Sequence, residues 1–416
     1  MATKRAASAR QDVRRNQPEA PQPGVQRARP PRRKKPRRTA RDATRSGGDR
    51  TALRLGCAIE GSDALRSSLG ERVIGQDHAV DALVSSWARL LSGLRDPDRP
   101  LLTALLMGPT GVGKTETARA LAAALFGSES ALHRINCEEY AHGHEVAKLL
   151  GSPPGYIGAD IEPLLSQQRI DRPHWKRRQA ATNDDGAETE SLLIEQVHDP
   201  EQRLHSILLF DEVEKAHPTL WNALLGILEE GRVTLGNNTT TDLTRSVILM
   251  TTNVGSREMG AAIGRVPLGF ATPRDSSVDN RPLAEIAEGA ARQVFPVEFL
   301  NRFDEMLVYK PLGDAELDLI FDKFLSAVNE RAHEQAGVPL LIKTSEKAKL
   351  LVIEAGTDAL LGARPLRRAI ERMIVDPVSR LLACGQIGAG DVVEVEEEAG
   401  ELRFYRLPRS TDKIVA

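Results

Sequence analysis

An eight-residue segment constrains the fold of this chain more than any other feature. Gly108–Thr115 reads GPTGVGKT and matches the pattern G-x-x-x-x-G-K-[ST]. The apolar run Leu101–Met107 precedes it, and a run of helix-forming residues, Thr115–Phe126, follows it and stops at Gly127. A strand, a glycine-rich turn and a helix in this order place backbone N–H groups and the positive helix N-terminus around an anion. The segment therefore predicts a phosphate-binding loop.

The motif gives its residues separate roles. Lys114 is expected to reach the β- and γ-phosphates of a nucleotide, and Thr115 is expected to ligate Mg²⁺. The residues expected to wrap the phosphates are Gly108, Pro109, Thr110, Gly111, Val112 and Gly113. The alternative, a chance glycine-rich turn, does not account for the flanking strand and helix.

Two later apolar runs each end in polar residues. Ile207–Phe210 leads into Asp211 and Glu212, and Val247–Met250 is followed by Asn253. Because successive side chains of a strand point to opposite faces, Asp211 is expected to hold Mg²⁺ while Glu212 faces a water that attacks the γ-phosphate. Asn253 is expected to orient that water. Taken singly, the acids could be a solvated strand end, and Asn253 an ordinary turn residue.

Strand-length apolar runs alternate with helix-like stretches from about residue 51 onward. This alternation favours an α/β fold with a parallel sheet covered by helices on both faces. The predicted strands are Leu101–Met107, Leu132–Cys137, Ile207–Phe210, Val247–Met250 and Met306–Tyr309. A polar interval, residues 169–190, reads as a surface insertion.

After residue 312 the pattern changes to that of a smaller α+β domain. Helices are predicted at 314–333 and 365–382, and short strands are predicted at 338–343, 392–397 and 402–406. The predicted organisation is a basic arm at 1–50, a large domain at 51–312, a small domain at 313–408 and a tail at 409–416.

The charge of the chain is unevenly distributed. Residues 1–50 contain 16 Lys and Arg against 4 Asp and Glu, whereas the whole chain has a net charge of -2. This segment lacks Leu, Ile, Phe, Tyr and Trp, so it cannot bury enough apolar area to offset the entropy of ordering. We predict a disordered arm that either contacts an anionic partner or acts as a solvated tail.

Composition argues against several classes of protein. No apolar run approaches the ~18 residues that span a bilayer, and no secretory core follows the N-terminus. Cys57, Cys137 and Cys384 are far apart, which argues against a disulfide framework or a zinc site and fits a reducing compartment. A cytoplasmic protein without a membrane span is expected.

Seven short motifs follow one another between residues 73 and 368. They are VIGQD at 73–77, GPTGVGKT at 108–115, GSPPGYIG at 151–158, LLFDEVEKAHP at 208–218, TTNVGS at 251–256, FPVEFLNRFDE at 295–305 and GARPLRR at 362–368. Their order resembles the AAA+ module of Clp-type protein unfoldases, above all the second module of two-module members. The resemblance covers roughly residues 65–405 and implies an ATPase that uses ATP and Mg²⁺.

The resemblance implies further roles. Val73 and Ile74 are assigned to the adenine. Arg302 resembles the arginine that reaches the nucleotide of a neighbouring subunit, which implies a homo-oligomeric ring, expected to be a hexamer. A guanidinium offered to developing γ-phosphate charge favours phosphoryl transfer. Arg364, in the small domain, resembles the arginine that contacts the γ-phosphate within the same subunit.

The segment Gly155, Tyr156, Ile157 and Gly158 resembles the family's pore loop, whose tyrosine grips unfolded polypeptide. Glycines and prolines around one aromatic predict an exposed loop tip, and exposed loop residues often bind a partner. A tyrosine offers a broad apolar face with few torsions to order. The alternative is that Tyr156 packs onto its own domain.

The chain also departs from the family pattern. It has one module and a basic arm, and residues 159–163 (ADIEP) replace the usual acidic Gly-Gly segment. The 41 residues between Asn253 and Phe295 are predicted to form a long loop. Within it, Leu268, Gly269 and Phe270 resemble the tripeptide by which peptidase-coupled Clp unfoldases dock onto a barrel peptidase, although they could instead pin the loop to its own domain.

The expected function is ATP-driven unfolding or remodelling of unfolded or aggregated proteins by threading them through the ring. One alternative is an unfoldase coupled to a barrel peptidase. A second is a nucleic-acid-associated motor recruited by the arm, against which the pore loop offers no row of Lys or Arg. A third, a scaffold that binds ATP without hydrolysis, would lack Glu212 or Arg302, and both are present.

Overall fold

The computed structural model describes residues 61–93, 95–156, 159–171, 204–262, 282–334, 340–357 and 362–407. Several predictions lie outside these residues: the basic arm, most of the 169–190 insertion, Ile157, Gly158, Leu268, Gly269, Phe270 and the tail. The described residues all belong to one compact unit, 58–416. A division at residues 312/313 stays a prediction.

The strands form three sheets. They are β1 (Leu102–Met107), β2 (Leu132–Asn136), β3 (Ser206–Asp211), β4 (Arg232–Thr234), β5 (Thr240–Asp242), β6 (Ser246–Thr252), β7 (Glu305–Val308), β8 (Leu341–Thr344), β9 (Val392–Glu398) and β10 (Glu401–Leu407). The main sheet is parallel, in the order β2-β3-β6-β1-β7. It contains all five strands predicted for it, with ends that differ by one or two residues.

Helices cover the main sheet and separate its strands. They are α1 (Ser62–Arg72), α2 (Asp77–Leu91), α3 (Lys114–Phe126), α4 (Val146–Leu150), α5 (Gln167–Ile170), α6 (Pro218–Glu230), α7 (Ser256–Ala262), α8 (Leu283–Val294), α9 (Val297–Leu300), α10 (Asp314–Glu334), α11 (Glu346–Gly356), α12 (Arg364–Ile370) and α13 (Asp376–Ala383). Together with the sheets, these helices confirm the predicted fold class, an α/β large part followed by a smaller α+β part.

The main sheet is buried on both faces because alternate residues of its strands enter two different cores. In β1, Ala104 and Leu106 pack with α1, α2 and α3 on one face, whereas Leu105 and Met107 pack with α6 and α8 on the other. Every residue of β1, β3 and β6 is buried. Such strands read as continuous apolar runs, which is why the sequence revealed them.

The strand register places three chain segments at one edge of the sheet. Met107 pairs with Thr252, and Phe210 pairs with Met250, so the carboxyl ends of β1, β3 and β6 lie side by side. The phosphate-loop motif follows β1, Glu212 follows β3 and Asn253 follows β6. The fold therefore brings the three predicted motifs together.

The smaller α+β part contains a three-stranded sheet. Its order is β10-β9-β8, with β8 parallel and β10 antiparallel to β9. The helix predicted at 365–382 is instead three pieces, α12, a π-helical turn at Glu371–Val375, and α13. Asp376 begins α13 and is followed by Pro377, which lacks the backbone N–H that a continuous α-helix would use.

The long loop predicted between Asn253 and Phe295 is wrong in part. Helix α7 spans Ser256–Ala262 and α8 spans Leu283–Val294, which leaves 263–282 between them. Helix α8 forms because Ile286, Ala287, Ala290 and Ala291 recur at helical spacing and are buried together.

Candidate nucleotide site

A cavity of about 430 Å³ lies at the carboxyl edge of the main sheet. It is lined by most of the predicted site residues: Val73, Ile74, Thr110, Gly111, Val112, Gly113, Lys114, Thr115, Asp211, Glu212, Asn253 and Arg364. Residues of the smaller α+β part form its opposite wall: Ile320, Lys323, Phe324, Ala363, Arg364 and Arg367. The cavity has a volume and a polar, cationic lining that suit a nucleotide.

The phosphate-loop motif has the backbone that its glycines allow. Gly108 has a φ of 141° and Gly113 has a φ of 105°, values that other residues rarely adopt. A Cβ on Gly108 would lie 2.6 Å from the carbonyl oxygen of Tyr309, at the end of β7. Helix α3 begins directly after Gly113, so its N-terminal amides point into the cavity edge where phosphate would bind.

Lys114 is a buried cation at the centre of the site. It is 7% exposed, and its Nζ donates to the carbonyl oxygens of Gly108 and Pro109, the latter at 2.7 Å, and to Asn253 Oδ1 at 2.8 Å. Burial lowers the pKa of Lys114 to about 8, an effect that nearby carboxylates, Glu214 first among them, oppose. The oxygens that Lys114 Nζ contacts are all neutral, and a bound phosphate would give the ammonium an anionic partner.

Asp211 is the hub of a second group of contacts. Its carboxylate accepts hydrogen bonds from Thr115 Oγ1 at 3.2 Å, from Thr251 Oγ1 at 2.5 Å and from the Arg134 guanidinium at 2.6 and 3.0 Å. Hydroxyl and carboxylate oxygens are the ligands that Mg²⁺ prefers, and it commonly uses one or two protein carboxylates together with substrate phosphates. The donor set of Thr115 and Asp211 therefore fits Mg²⁺.

Glu212 lies beyond the end of β3. Its φ of 60° is left-handed, so the strand alternation invoked for Asp211 and Glu212 does not apply, and both residues line the same cavity. Asn253 Nδ2 donates to Glu212 Oε1 at 3.2 Å, and Lys215 Nζ lies 2.6 Å from Glu212 Oε2. The backbone N–H of Glu212 donates to Thr251 Oγ1 at 2.9 Å. These contacts hold both oxygens of the Glu212 carboxylate at the edge of the cavity.

Arg302 and Tyr156 lie away from the cavity lining. Arg302 follows α9, and its Nη1 lies 2.7 Å from Glu229 Oε1 at the end of α6. Tyr156 is 72% exposed, which matches the predicted loop tip, and Gly155 beside it has a φ of 89°. In contrast, Arg364 begins α12 and lines the cavity with the phosphate loop. The roles assigned to these residues stay predictions.

Sequence reasoning missed several residues that the fold brings to the site. Arg134 lies on β2, and its contact with Asp211 depends on the pairing of β2 with β3. Gln76 is fully buried: its Nε2 donates to the Lys310 carbonyl oxygen at 2.9 Å, and its Oε1 accepts from the Lys310 N–H at 3.0 Å. These two hydrogen bonds join the turn after Val73 and Ile74 to the segment that follows β7. Only Gln76 had a sequence signal, its place in the VIGQD motif.

Comparison with protein families agrees with this geometry. A model of the AAA domain (Cdc48 subfamily) matches residues 99–175 and 175–306, and a model of the C-terminal D2-small domain of ClpB matches residues 312–395. The chain belongs to the Clp-type AAA+ ATPases. Membership in this family implies ATP binding and hydrolysis, and the predicted family resemblance is confirmed.

Individual relatives align with most of this chain. The chloroplastic chaperone ClpC3 of Oryza sativa subsp. japonica is 38% identical over 335 residues, which are 80% of this chain and 32% of the relative. The negative regulator of genetic competence ClpC/MecB of Bacillus subtilis is 36% identical over 81% of this chain and 37% of its own length. ClpB of Aquifex aeolicus is 35% identical over 82% of this chain and 30% of its own length. The chain thus spans about a third of the length of these relatives.

A solved structure resembles the AAA+ fold described above. A closed-state cryo-EM reconstruction of Hsp104 with ATPγS and FITC casein matches with a TM-score of 0.65 and 28% sequence identity. The match covers 84% of this chain and 52% of that chain.

A separate observation concerns membranes. Within the described ranges, none of the helices combines the length and the apolar content needed to span a bilayer.

Proposed function

We propose that this chain hydrolyses ATP in the 430 Å³ cavity and uses the energy to unfold or remodel other proteins. The observation that carries the proposal is the contact series from Lys114 through Asn253 to Glu212. In this series an ammonium, an amide and a carboxylate lie side by side at the end of the sheet. A catalytic base must lie within reach of the proton that it removes, and the Glu212 carboxylate lines the same cavity as the phosphate loop, which supports this role.

The roles of the cavity residues follow from their positions. Val73 and Ile74 line the cavity, as do the apolar residues Leu312 and Ile320, and would hold the adenine. The phosphate-loop amides and Lys114 would bind the phosphates. Thr115 and Asp211 would hold Mg²⁺, which would neutralise charge on the phosphates.

The catalytic side of the cavity would work as follows. Glu212 would accept a proton from the attacking water, and Asn253 would orient Glu212 and that water. Arg364 would contact the γ-phosphate from the smaller α+β part, which we propose begins near residue 313 and moves with nucleotide state.

A ring of identical subunits would complete the site. Arg302 is absent from the residues lining the cavity of its own chain, yet its guanidinium is half-buried at the chain surface. A neighbouring copy could therefore receive Arg302, and a guanidinium offered to the γ-phosphate in trans accelerates phosphoryl transfer. We propose a homo-oligomeric ring, of six subunits by analogy with the family.

Tyr156 is the proposed contact with the polypeptide. It is among the most exposed large apolar side chains in the described part of the chain, and it follows Gly155 and Pro154. The Hsp104 structure that this chain resembles contains casein, a protein ligand, together with ATPγS. Threading of unfolded protein past Tyr156 is the function that best combines these facts.

Two finer proposals concern segments outside the described residues. Leu268, Gly269 and Phe270 would dock onto a barrel peptidase, since two buried apolar side chains contribute about 2 kcal/mol each and several copies in a ring would add avidity. The basic arm, residues 1–50, would contact an anionic partner through contacts that weaken with salt.

A tyrosine exchange tests the proposed function. Tyr156→Ala should retain ATP hydrolysis and lose the unfolding of a tagged model substrate, because ATP would still be hydrolysed but the side chain proposed to contact the polypeptide would be missing. Tyr405→Ala, which removes a tyrosine that is 40% exposed on β10, is the matched control and should retain both activities. Equal loss of hydrolysis and unfolding in Tyr156→Ala would show a packing role and contradict the proposal.

A further inference from the structure

Lys215 joins two carboxylates that come from different parts of the chain. Its Nζ lies 2.6 Å from Glu212 Oε2 and 3.1 Å from Glu138 Oε1. Glu212 follows β3, whereas Glu138 belongs to a short 3₁₀ turn, Cys137–Tyr140, that follows β2. An ammonium group has three donors, so it can bind both acids at once. Neither the phosphate loop nor Asn253 supplies this contact.

The backbone around Lys215 is held firmly. Val213–Lys215 forms a single 3₁₀ turn, and the Val213 carbonyl oxygen accepts a hydrogen bond from Trp221 Nε1 at 2.9 Å. The His217 N–H donates to the Tyr140 carbonyl oxygen at 2.8 Å, which ties the Lys215 segment to the Glu138 segment. The Lys215 side chain therefore starts from a backbone held by hydrogen bonds and reaches two carboxylates on neighbouring segments.

Glu212 needs such support because its own backbone conformation is unusual. A left-handed φ of 60° is unfavourable for a glutamate, so neighbouring contacts must hold the residue there. Asn253 holds only Oε1, and without Lys215 the other oxygen could rotate away from its position. A misplacement of about 1 Å in a reacting group can reduce turnover by about 100-fold.

We propose that Lys215 is a positioning residue for Glu212 and that Glu138 anchors Lys215 in that role. Lys215 is absent from the residues that line the cavity, so it would act on hydrolysis without binding the nucleotide itself. It acts by fixing Glu212 Oε2, and Glu138 fixes the ammonium from the other side. The same bridge joins Glu212 to the chain segment that leads through α4 to the Tyr156 loop. This inference rests on the proposed role of Glu212 as the base.

Steady-state hydrolysis by the full chain tests the proposal. Lys215→Met should lower kcat by about 10- to 100-fold, while KM for ATP stays within about twofold, because the nucleotide contacts remain. Lys215→Arg keeps the positive charge and should therefore retain most of the wild-type kcat. Lys347→Met removes an exposed lysine on α11, outside the cavity lining, and serves as the matched control with unchanged kcat.

A double-mutant cycle tests the anchor. Glu138→Gln should lower kcat less than Lys215→Met does, and the double variant should equal Lys215→Met, since Glu138 acts only through Lys215. Additive losses would contradict the anchoring role. Glu138 is well exposed, so Glu138→Gln should fold even if Lys215→Met does not, and unchanged kcat in that variant would overturn the anchor.

Glu212→Gln separates this inference from the proposed function. If Glu212→Gln hydrolyses ATP like the wild type, the role of Glu212 is wrong and both fail. If Glu212→Gln is inactive while Lys215→Met has the kcat of Lys347→Met, the positioning role alone is wrong. A rise in KM with unchanged kcat in Lys215→Met would also overturn it, because that pattern indicates lost nucleotide binding.

Discussion

Lys114 and Glu212 are connected through one amide side chain. Lys114 Nζ donates to Asn253 Oδ1 at 2.8 Å, and Asn253 Nδ2 donates to Glu212 Oε1 at 3.2 Å. The oxygen and nitrogen of the amide thus face a cation and an anion, which sets the orientation of Asn253. If a phosphate displaced Lys114 Nζ, Asn253 would lose one hydrogen bond and the position of the Glu212 carboxylate would change with it.

Glu212→Gln should separate nucleotide binding from hydrolysis. The substitution keeps the size of the side chain and removes the base, so turnover should fall by at least about 100-fold. ATP affinity should stay near the wild-type value because Lys114 and the phosphate loop are unchanged. Phosphate release and nucleotide titration measure the two quantities. Glu230→Gln, an exposed acid at the end of α6, is the control, and wild-type turnover in Glu212→Gln would refute the assignment.

Arg302→Ala should bind ATP normally and hydrolyse it poorly, because its target would be the site of a neighbouring subunit. A loss of about 1,000-fold is expected for an arginine that stabilises γ-phosphate charge. Mixing Arg302→Ala with Lys114→Ala subunits should restore partial activity, since some interfaces then join an intact loop to an intact arginine. Confirmed co-assembly without any recovered activity would contradict action in trans.

The local parts of the site could be predicted from the sequence, because each depends on neighbours in the chain. The phosphate loop needs only the run before Gly108, its glycines and the helix after Gly113, and all of these are contiguous. Strands β1, β3 and β6 were recognisable because they are buried on both faces and therefore apolar throughout.

Contacts between distant segments could not be predicted in the same way. Arg134 reaches Asp211 because Asn136 pairs with Asp211 across β2 and β3, a register that no local pattern specifies. Lys215 and Glu138 are likewise separated by 77 positions. Helix α8 is a different case, since the helical spacing of Ile286, Ala287, Ala290 and Ala291 is a local pattern in the sequence that could have predicted it.

Trp221→Phe should reduce stability through a lost hydrogen bond. Trp221 Nε1 donates to the buried Val213 carbonyl oxygen at 2.9 Å, and a buried acceptor left unpaired costs about 1–3 kcal/mol. Trp87→Phe is a matched control, because Trp87 is also buried and its Nε1 has no partner within the described part of the chain. Urea denaturation should show a larger loss for Trp221→Phe. Equal losses would mean that ring volume alone accounts for both.

Gly362 is the point at which the smaller α+β part touches the phosphate loop. A Cβ there would lie 2.6 Å from the Thr110 carbonyl oxygen and 2.9 Å from the Gly111 carbonyl group. The Ala363 N–H donates to the Gly111 carbonyl oxygen at 3.1 Å, and Arg364 begins the next helix. A side chain at Gly362 must therefore push this segment, and Arg364 with it, away from the loop.

Gly362→Ala should accordingly weaken ATP binding by about tenfold, a loss of about 1.4 kcal/mol, and should lower kcat as well. The substitution should also lower stability through the backbone, because the φ of 56° at Gly362 is unfavourable for alanine by about 1–2 kcal/mol. Gly385→Ala isolates this backbone effect, since Gly385 has a φ of 71° and no atom within 4 Å of a Cβ. Gly362→Ala should therefore lose more free energy of unfolding than Gly385→Ala, measured by urea denaturation, and only Gly362→Ala should lose nucleotide affinity. Normal ATP binding by Gly362→Ala would show that the loop does not depend on this contact.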